Sequence, residues 1–312
     1  MKFSIRHLIR FLKQKPLPTI QSHTFQKRNP ALFAAVQPNP LTANLVSQVC
    51  RYDALESSRF RNWIAQLNEP WFPHRKLWEL AFICEALSER NLLNENCRGL
   101  GFAVGTEKLP ALFASMGCDI TATDLPINDD RNDKWAKTNQ YTGSLDGLNK
   151  DKLCPQELFS QKVTFQPVDM NHIPASLRDY DFTWSTCSFE HCGNIELGLR
   201  FLEHQMACLK PGGIAVHTTE FNLTSNQNTC TKGDFVIYRL CDIEAIIERL
   251  KNHGHAVEPI DVHSGDHVVD QIIDQPPYSE FSEMAISKRK HMRLNLKGFV
   301  STSIALIIKK SF

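Results

Sequence analysis

The chain has 312 residues, of which 42% are hydrophobic and 22% are charged, which is typical of a soluble globular protein with one large domain or one domain and an appendage. The formal net charge at pH 7 is +1, so no overall field favours nucleic acid as a partner. The ten cysteines are scattered and contain no C-x-x-C pair, which favours reduced thiols and a cytoplasmic location over a disulfide framework.

Residues 1–45 are predicted to form a basic N-terminal arm. The first 28 residues carry seven Lys or Arg, and no acidic residue precedes Asp53. The opening MKFSIRHLIRFLKQK interrupts its apolar residues with charge, which argues against a signal peptide. No apolar run approaches the length of a transmembrane segment. Two interpretations of the opening remain, a basic amphipathic helix on a membrane surface and a solvated terminal helix.

Residues 46–92 are predicted to form a helical N-terminal extension. The stretch HRKLWELAFICEALSERNLL repeats its apolar residues at helical spacing, which places five of them on one face: Leu77, Leu80, Ala81, Cys84 and Leu87.

The remainder, residues 93–312, alternates strand-like and helix-like runs. Strands are expected at 97–100, 119–123, 163–168, 182–185, 214–218, 257–262 and 299–308, and helices at 107–116, 195–209 and 243–252. This alternation predicts an α/β fold, with a parallel sheet covered by helices on both faces. Between the last two strands lies a polar insertion, residues 263–298, interpreted as a lid.

The first strand leads into a turn that contains Gly99, Gly101 and Gly105, and the second strand ends at Asp124. Glycines let the backbone approach a ligand closely, and a carboxylate at a strand end can accept hydrogen bonds from ribose hydroxyls. The pair therefore favours a ribose-bearing cofactor. The alternative is a turn whose glycines serve only strand–helix packing, followed by an ordinary strand-end Asp.

Three further motifs follow in order: VTFQPVDMNHIP, YDFTWSTCSFEH and ACLKPGGIAVHTTEFN. Together with the glycine turn they resemble the class I S-adenosylmethionine-dependent methyltransferases over about residues 93–222. The resemblance implies a Rossmann-like sheet of seven strands with the last strand antiparallel, and S-adenosyl-L-methionine as cofactor.

The resemblance also implies which residues bind that cofactor. The turn from Gly99 through Gly101 to Gly105 would surround its methionine and ribose, and Asp124 would hold the ribose hydroxyls. The remaining contacts would be to adenine, with the amino group on Asp169 and the ring against two apolar side chains, Leu125 and Met170.

The turn departs from the family pattern at two positions. The family's acidic residue is replaced by Gly99, and its middle glycine is replaced by Ala103. The first change removes a partner for the cofactor's amino group, a role that Glu107 could take.

Catalytic candidates are expected at the carboxyl ends of the fourth and fifth strands of this domain. His191 is the first choice, because a neutral imidazole is available as a base near pH 7. Glu220 is the second, since it was expected just past the fifth strand. The competing interpretation is that Ser188 caps the next helix and Glu190 lies in its first turn. No compact zinc spacing occurs, so no metal is predicted.

The lid is predicted to bind the acceptor. Pro276 and Pro277 stiffen a turn that would present Tyr278, while Asp270 and Asp274 would share a face of one helical turn. The alternative is an exposed polar loop.

The sequence therefore predicts an S-adenosylmethionine-dependent methyltransferase that O-methylates a sugar or another small hydroxylated metabolite. Its partner would be this small-molecule acceptor, and neither a nucleic acid nor a membrane-spanning segment is expected. The alternatives are a nicotinamide-dependent (NAD) oxidoreductase and a non-catalytic, methyltransferase-like binding protein.

Overall fold

The structure is a computed structural model that describes residues 45–132, 140–279 and 284–311. The predicted basic arm lies outside these residues, apart from its last position. Helices in the described ranges are α1 (Tyr52–Glu56), α2 (Ser58–Gln66), α3 (Arg75–Ser88), α4 (Leu109–Ser115), α5 (Gln156–Lys162), α6 (Ile195–His204) and α7 (Leu240–Asn252). None of these helices is long and apolar enough to cross a membrane.

The strands of the described ranges form one sheet. They are β1 (Ser47–Val49), β2 (Arg98–Gly101), β3 (Asp119–Asp124), β4 (Val163–Pro167), β5 (Tyr180–Thr186), β6 (Leu209–Asn222), β7 (Ala256–Val257), β8 (Ile260–Asp261), β9 (Ile273–Asp274), β10 (Arg293–Leu296) and β11 (Phe299–Lys309).

The sheet is mixed: one half is parallel, and in the other half β11 is antiparallel to each of its neighbours, whereas the pairs β1–β8 and β9–β10 are parallel. The strand order along the main path is β4-β3-β2-β5-β6-β11-β1-β8. The first five strands of this order, β4, β3, β2, β5 and β6, are mutually parallel. The last strand, β11, is antiparallel to β6, as predicted. The predicted number of seven strands is wrong, because eleven are present in the described residues. The additions are short strands, too short to show an alternation of apolar and polar residues.

One of these additions lies in the segment predicted to be helical. Residues Ser47–Val49 form β1, which pairs with β11 on one side and with β8 on the other. The pairing satisfies backbone groups of β11 that would otherwise face solvent at a sheet edge. The segment that follows contains the helices α1, α2 and α3.

Helices cover both faces of the sheet. Successive side chains of a strand point to opposite faces, so each strand contributes to both cores. In β11, Ala305 and Ile307 pack in the core with α2, α3 and α4, while Ile304 and Leu306 pack in a second core with α6 and α7. The centre of the sheet is thus buried on both faces, as in other α/β folds.

Helix α3 is buried on almost all sides. Every residue from Leu77 to Leu87 is buried, including Trp78 and Phe82, which lie off the face predicted from the spacing. Its first turn is capped by His74, whose Nδ1 accepts the backbone N–H of Lys76 at 2.9 Å. Because α3 packs on β6 and β11, its charged residues are brought to the sheet.

The insertion after β8 is anchored by a buried cation. The side chain of Arg293 is 2% exposed and donates to the carbonyl of Cys50 at 2.8 Å and to Thr302 Oγ1 at 2.7 Å. It also donates to the carbonyl of Ser264 and pairs with Asp270 at 3.3 Å. One guanidinium thus ties the insertion to β11 and to the residue after β1.

Replacing this guanidinium is expected to be strongly destabilising. Arg293→Met leaves Asp270 buried without its cation, so we expect a loss of about 3–5 kcal/mol in urea unfolding. Adding Asp270→Asn should recover part of that loss, because the uncharged amide is cheaper to bury. The control is Arg200→Met, which breaks an exposed pair with Glu196 and should cost less than about 1 kcal/mol. Equal losses in the two single variants would contradict an anchoring role.

Candidate functional site

A cavity of about 440 Å³ lies at the carboxyl ends of β2, β3, β4 and β5. In open α/β sheets this is the edge at which ligands bind. Its wall contains the glycine turn, the ends of β3 and β5, the residues after β4, and side chains from the segment around α3. The predicted site residues in this wall are Gly105, Asp124, Leu125, Asp169, Met170 and His191.

Within the glycine turn, only the last glycine lines the cavity. Gly105 has a φ of +54°, and a Cβ there would lie 2.2 Å from the backbone oxygen of Gln140. Gly99 and Gly101 lie inside β2, where a Cβ would lie 2.3 Å from the ring of Phe182 and 2.4 Å from that of Trp184. The structure therefore gives these two glycines a packing reason and places them away from the cavity.

Asp124 is buried at the end of β3 and holds the turn. Its Oδ2 accepts the N–H of Gly105 at 3.1 Å, and its Oδ1 accepts the N–H of Leu125 at 2.9 Å. Burial raises the pKa of Asp124 to about 6, against the lowering effect of backbone donors that include Thr142. A carboxylate has about four lone-pair sites, so capacity for a ligand hydroxyl remains.

Asp169, after β4, already has a cationic partner. Its Oδ2 accepts from the guanidinium of Arg131 at 2.9 Å, and its Oδ1 accepts the N–H of Asn171 at 2.9 Å. Met170 is buried beside it, and both residues line the wall together with Arg131.

Two charged residues meet at Thr186, at the end of β5. Glu107 accepts from Thr186 Oγ1 at 2.6 Å and from Trp184 Nε1 at 2.8 Å. Burial raises the pKa of Glu107 to about 7, although the nearby Lys76 lowers it. The ammonium of Lys76 donates to the backbone oxygen of Thr186 at 3.3 Å. Lys76 was not predicted from the sequence, because helical spacing shows only which face of α3 is apolar.

His191 lies in a part of the cavity wall where two loops, one after β5 and one after β6, are joined by backbone hydrogen bonds. Gly233 donates to the carbonyl of Gly193 at 3.0 Å, and Val236 donates to that of Glu190 at 2.9 Å. The ring Nδ1 of His191 lies 2.6 Å from the carbonyl oxygen of Asp234. Because a carbonyl can only accept, Nδ1 carries the proton and Nε2 the lone pair when the ring is neutral.

Glu220 does not lie at the cavity. It was expected just past the strand, but β6 continues to Asn222, so Glu220 is held inside the sheet. Its carboxylate, 6% exposed, pairs with Arg75 and accepts from Ser301 Oγ of β11. The length of β6 follows from its pairing with β11 over its whole second half, which local sequence does not reveal.

The three residues predicted to bind the acceptor are also absent from the cavity wall. Asp274 pairs with His291 at 2.7 Å, the hydroxyl of Tyr278 donates to the carbonyl of Asn295 at 3.0 Å, and Asp270 lies beside Arg293. Asp270 is in a 3₁₀ turn and Asp274 is in β9, so the expected single helical turn is wrong. The spacing of the two acids suggested a helical turn, but Asp274 lies in a strand because β9 pairs with β10, which is distant in sequence. Across the described ranges, no group of three or more potential ligands is arranged to hold a metal ion.

No protein-family model matches the chain, and no curated protein matches it. Among solved structures it is similar to the cyclase SpnF, with a TM-score of 0.48, 16% identity, and coverage of 83% of this chain and 94% of the other. It is also similar to a magnesium protoporphyrin IX methyltransferase from Synechocystis PCC 6803 with bound S-adenosylhomocysteine, with a TM-score of 0.44, 11% identity, and coverage of 83% and 97%.

A further similar structure is the 1,6-didemethyltoxoflavin-N1-methyltransferase of Burkholderia thailandensis, with a TM-score of 0.41, 12% identity, and coverage of 82% of this chain and 80% of the other. Structures described as S-adenosylmethionine-dependent methyltransferases also occur among the matches. All these TM-scores lie below 0.5, so what the cavity binds has to be inferred from its own residues.

The residue that replaces the middle glycine of the turn offers a direct test. Ala103 has a φ of +48°, a conformation that costs an L-residue roughly 1–2 kcal/mol. We expect Ala103→Gly to stabilise the protein by about 0.5 kcal/mol in thermal or urea unfolding, since the relief exceeds the entropic cost of glycine. Ala65→Gly, on the exposed face of α2, is the control and should destabilise by about 0.5–1 kcal/mol. Similar losses in both variants would refute strain at Ala103.

Proposed function

We propose that the chain is an S-adenosylmethionine-dependent methyltransferase that binds its cofactor in this cavity. The observation that carries the proposal is the convergence, in one space, of Gly105, Asp124 and Asp169 from the ends of successive parallel strands. When bound, the cofactor supplies an electrophilic methyl group on a positively charged sulfur.

The cavity residues fit the parts of such a cofactor. Asp124 has acceptor capacity for a ribose hydroxyl, and Leu125 and Met170 offer apolar surface to the adenine. Gly105 also lines the cavity, and its missing side chain makes room for the backbone of Gln140. Glu107 would accept from the amino group, since each of its oxygens has spare lone pairs beside the bonds from Trp184 and Thr186.

The acceptor is proposed to be a small hydroxylated molecule that is methylated on oxygen. His191 would act as the base, because the carbonyl of Asp234 orients its ring with Nε2 as proton acceptor. The proton of the acceptor hydroxyl would pass to Nε2 as the oxygen becomes a nucleophile. Alignment of the acceptor by the cavity wall would supply much of the remaining rate.

Two other functions make different predictions. A non-catalytic binding protein would have a collapsed or blocked crevice, whereas this cavity holds about 440 Å³. A nicotinamide-dependent oxidoreductase would bind NAD. Titration calorimetry with S-adenosylhomocysteine and with NAD separates the readings, and binding of NAD alone would overturn the proposal.

Affinity for S-adenosylhomocysteine should depend on pH through Asp124. Its pKa is raised to about 6 by burial, and the ionised form is the better acceptor for a ribose hydroxyl. Affinity should therefore fall as pH drops below about 6, by up to tenfold per unit. Asp124→Asn should bind about 1–3 kcal/mol more weakly at pH 8 and should lose this part of the pH dependence. Unchanged affinity in a folded Asp124→Asn protein would exclude the residue from the site.

Removing the proposed base should separate chemistry from binding. A screen of hydroxylated metabolites with a labelled methyl donor first identifies an acceptor. His191→Ala should then lower turnover by about 10²–10⁴-fold, while affinity for S-adenosylhomocysteine changes little. His204→Ala, on the far end of α6, is the matched control. A His191→Ala enzyme of normal turnover would mean that His191 is not the base.

A further inference from the structure

Lys76 reaches the cavity from α3, a helix that lies outside the strand–turn–helix unit of the glycine turn. Its ammonium lies 3.2 Å from Glu79 Oε2 and donates to the carbonyl of Thr186 at 3.3 Å. An ammonium has three N–H donors, so one remains beside these two contacts. The side chain is 46% exposed, which leaves it accessible to a ligand.

The position of Lys76 is determined by a buried network around Glu79. The Glu79 side chain is 1% exposed and accepts from the thiol of Cys187 at 3.0 Å and from the hydroxyl of Ser303. Arg75 lies 3.7 Å from the same carboxylate and pairs with Glu220. These contacts fix the carboxylate of Glu79, and that carboxylate in turn holds the ammonium of Lys76 in the cavity wall.

Lys76 stays charged at that place. Burial acts to lower its pKa, but nearby carboxylates, Glu79 above all, outweigh burial and raise the pKa. Thr186 contacts both charged side chains. Its carbonyl oxygen accepts from Lys76, and its hydroxyl donates to Glu107. A cation and an anion thus flank one residue of the wall. A ligand that carries an ammonium and a carboxylate on one carbon atom is complementary to this arrangement.

We propose that Lys76 binds the carboxylate of the cofactor's amino-acid end, with Glu107 on its ammonium. The inference rests on the proposed function and extends it, because it makes the segment around α3 a part of the cofactor site. A carboxylate on the acceptor would offer the same chemistry from a different source, so the experiment has to distinguish the two.

Three ligands serve as probes in calorimetry. S-adenosylhomocysteine carries both charged groups, its decarboxylated analogue keeps only the ammonium, and 5′-methylthioadenosine lacks the whole amino-acid end. The wild type should bind S-adenosylhomocysteine about 10- to 100-fold more tightly than the decarboxylated analogue, as expected for a hydrogen bond to a charged group. Lys76→Met should abolish that preference and leave the affinities for the other two ligands within about threefold. Lys76→Arg should retain the preference, since it keeps the charge.

Lys108→Met is the matched control, because Lys108 also lines the cavity but its ammonium is taken up by Glu69, Asp151 and two backbone carbonyls. It should keep the preference for the carboxylate. A Lys76→Met protein that binds all three ligands equally more weakly would reduce Lys76 to a structural role. If Lys76→Met keeps the wild-type preference, Lys76 does not bind the carboxylate of the cofactor, and any carboxylate that it binds belongs to the acceptor. Both outcomes overturn this inference alone, whereas a wild type that binds none of the probes overturns the proposed function with it.

Discussion

The carboxylate of Glu79 joins the helical segment before the sheet to the edge of the sheet where the cavity lies. It is buried on α3, and its donors come from α3 itself, from Cys187 after β5 and from Ser303 on β11. Breaking one partner of such a network leaves an uncompensated buried charge, which costs far more than the loss of a surface ion pair. The register of α3 on the sheet is therefore specified by polar contacts as well as by packing, and the cavity wall inherits that register through Lys76.

The same edge of the sheet concentrates carboxyl groups that are costly to ionise. Burial raises the pKa of Asp124 to about 6, that of Glu107 to about 7 and that of Glu190 to about 8. In each case the folded state binds a proton more tightly than the unfolded chain, so their contribution to stability is present at low pH and is lost as pH rises through these values. Above about pH 8 all three groups carry a charge that burial makes destabilising.

The parallel strands were predictable because their signals are local, whereas of the three glycines assigned to the turn only Gly105 lies beyond β2. Apolar runs between turn residues located β2 to β6 and β11 to within a few residues, except that β6 begins and ends farther out. Asp124, the last residue of β3, came from the same local pattern, whereas the place of Met170 in the site was implied by the resemblance to the methyltransferase motifs. Pairing between distant segments was not visible. No local feature shows that Ser47–Val49 would join β11, that Glu220 would stay inside β6, or that Arg293 would draw Asp270 into the core. Lys76 was missed for the same reason, since its role depends on where α3 docks.

The two departures from the family pattern, Gly99 and Ala103, can be explained by the packing and the backbone conformation at these positions. A side chain at Gly99 would collide with the ring of Phe182, so an acid at that position is excluded by the aromatic packing under β2. A carboxyl group lies instead on Glu107, just beyond Gly105, where it accepts from Trp184 and Thr186 and lines the cavity. Ala103 adopts the left-handed conformation that a glycine would take there without strain, so the path of the turn is kept at an energetic cost. Under the proposed function, Glu107 on the other side of the turn would take the role that an acid at Gly99 would have had.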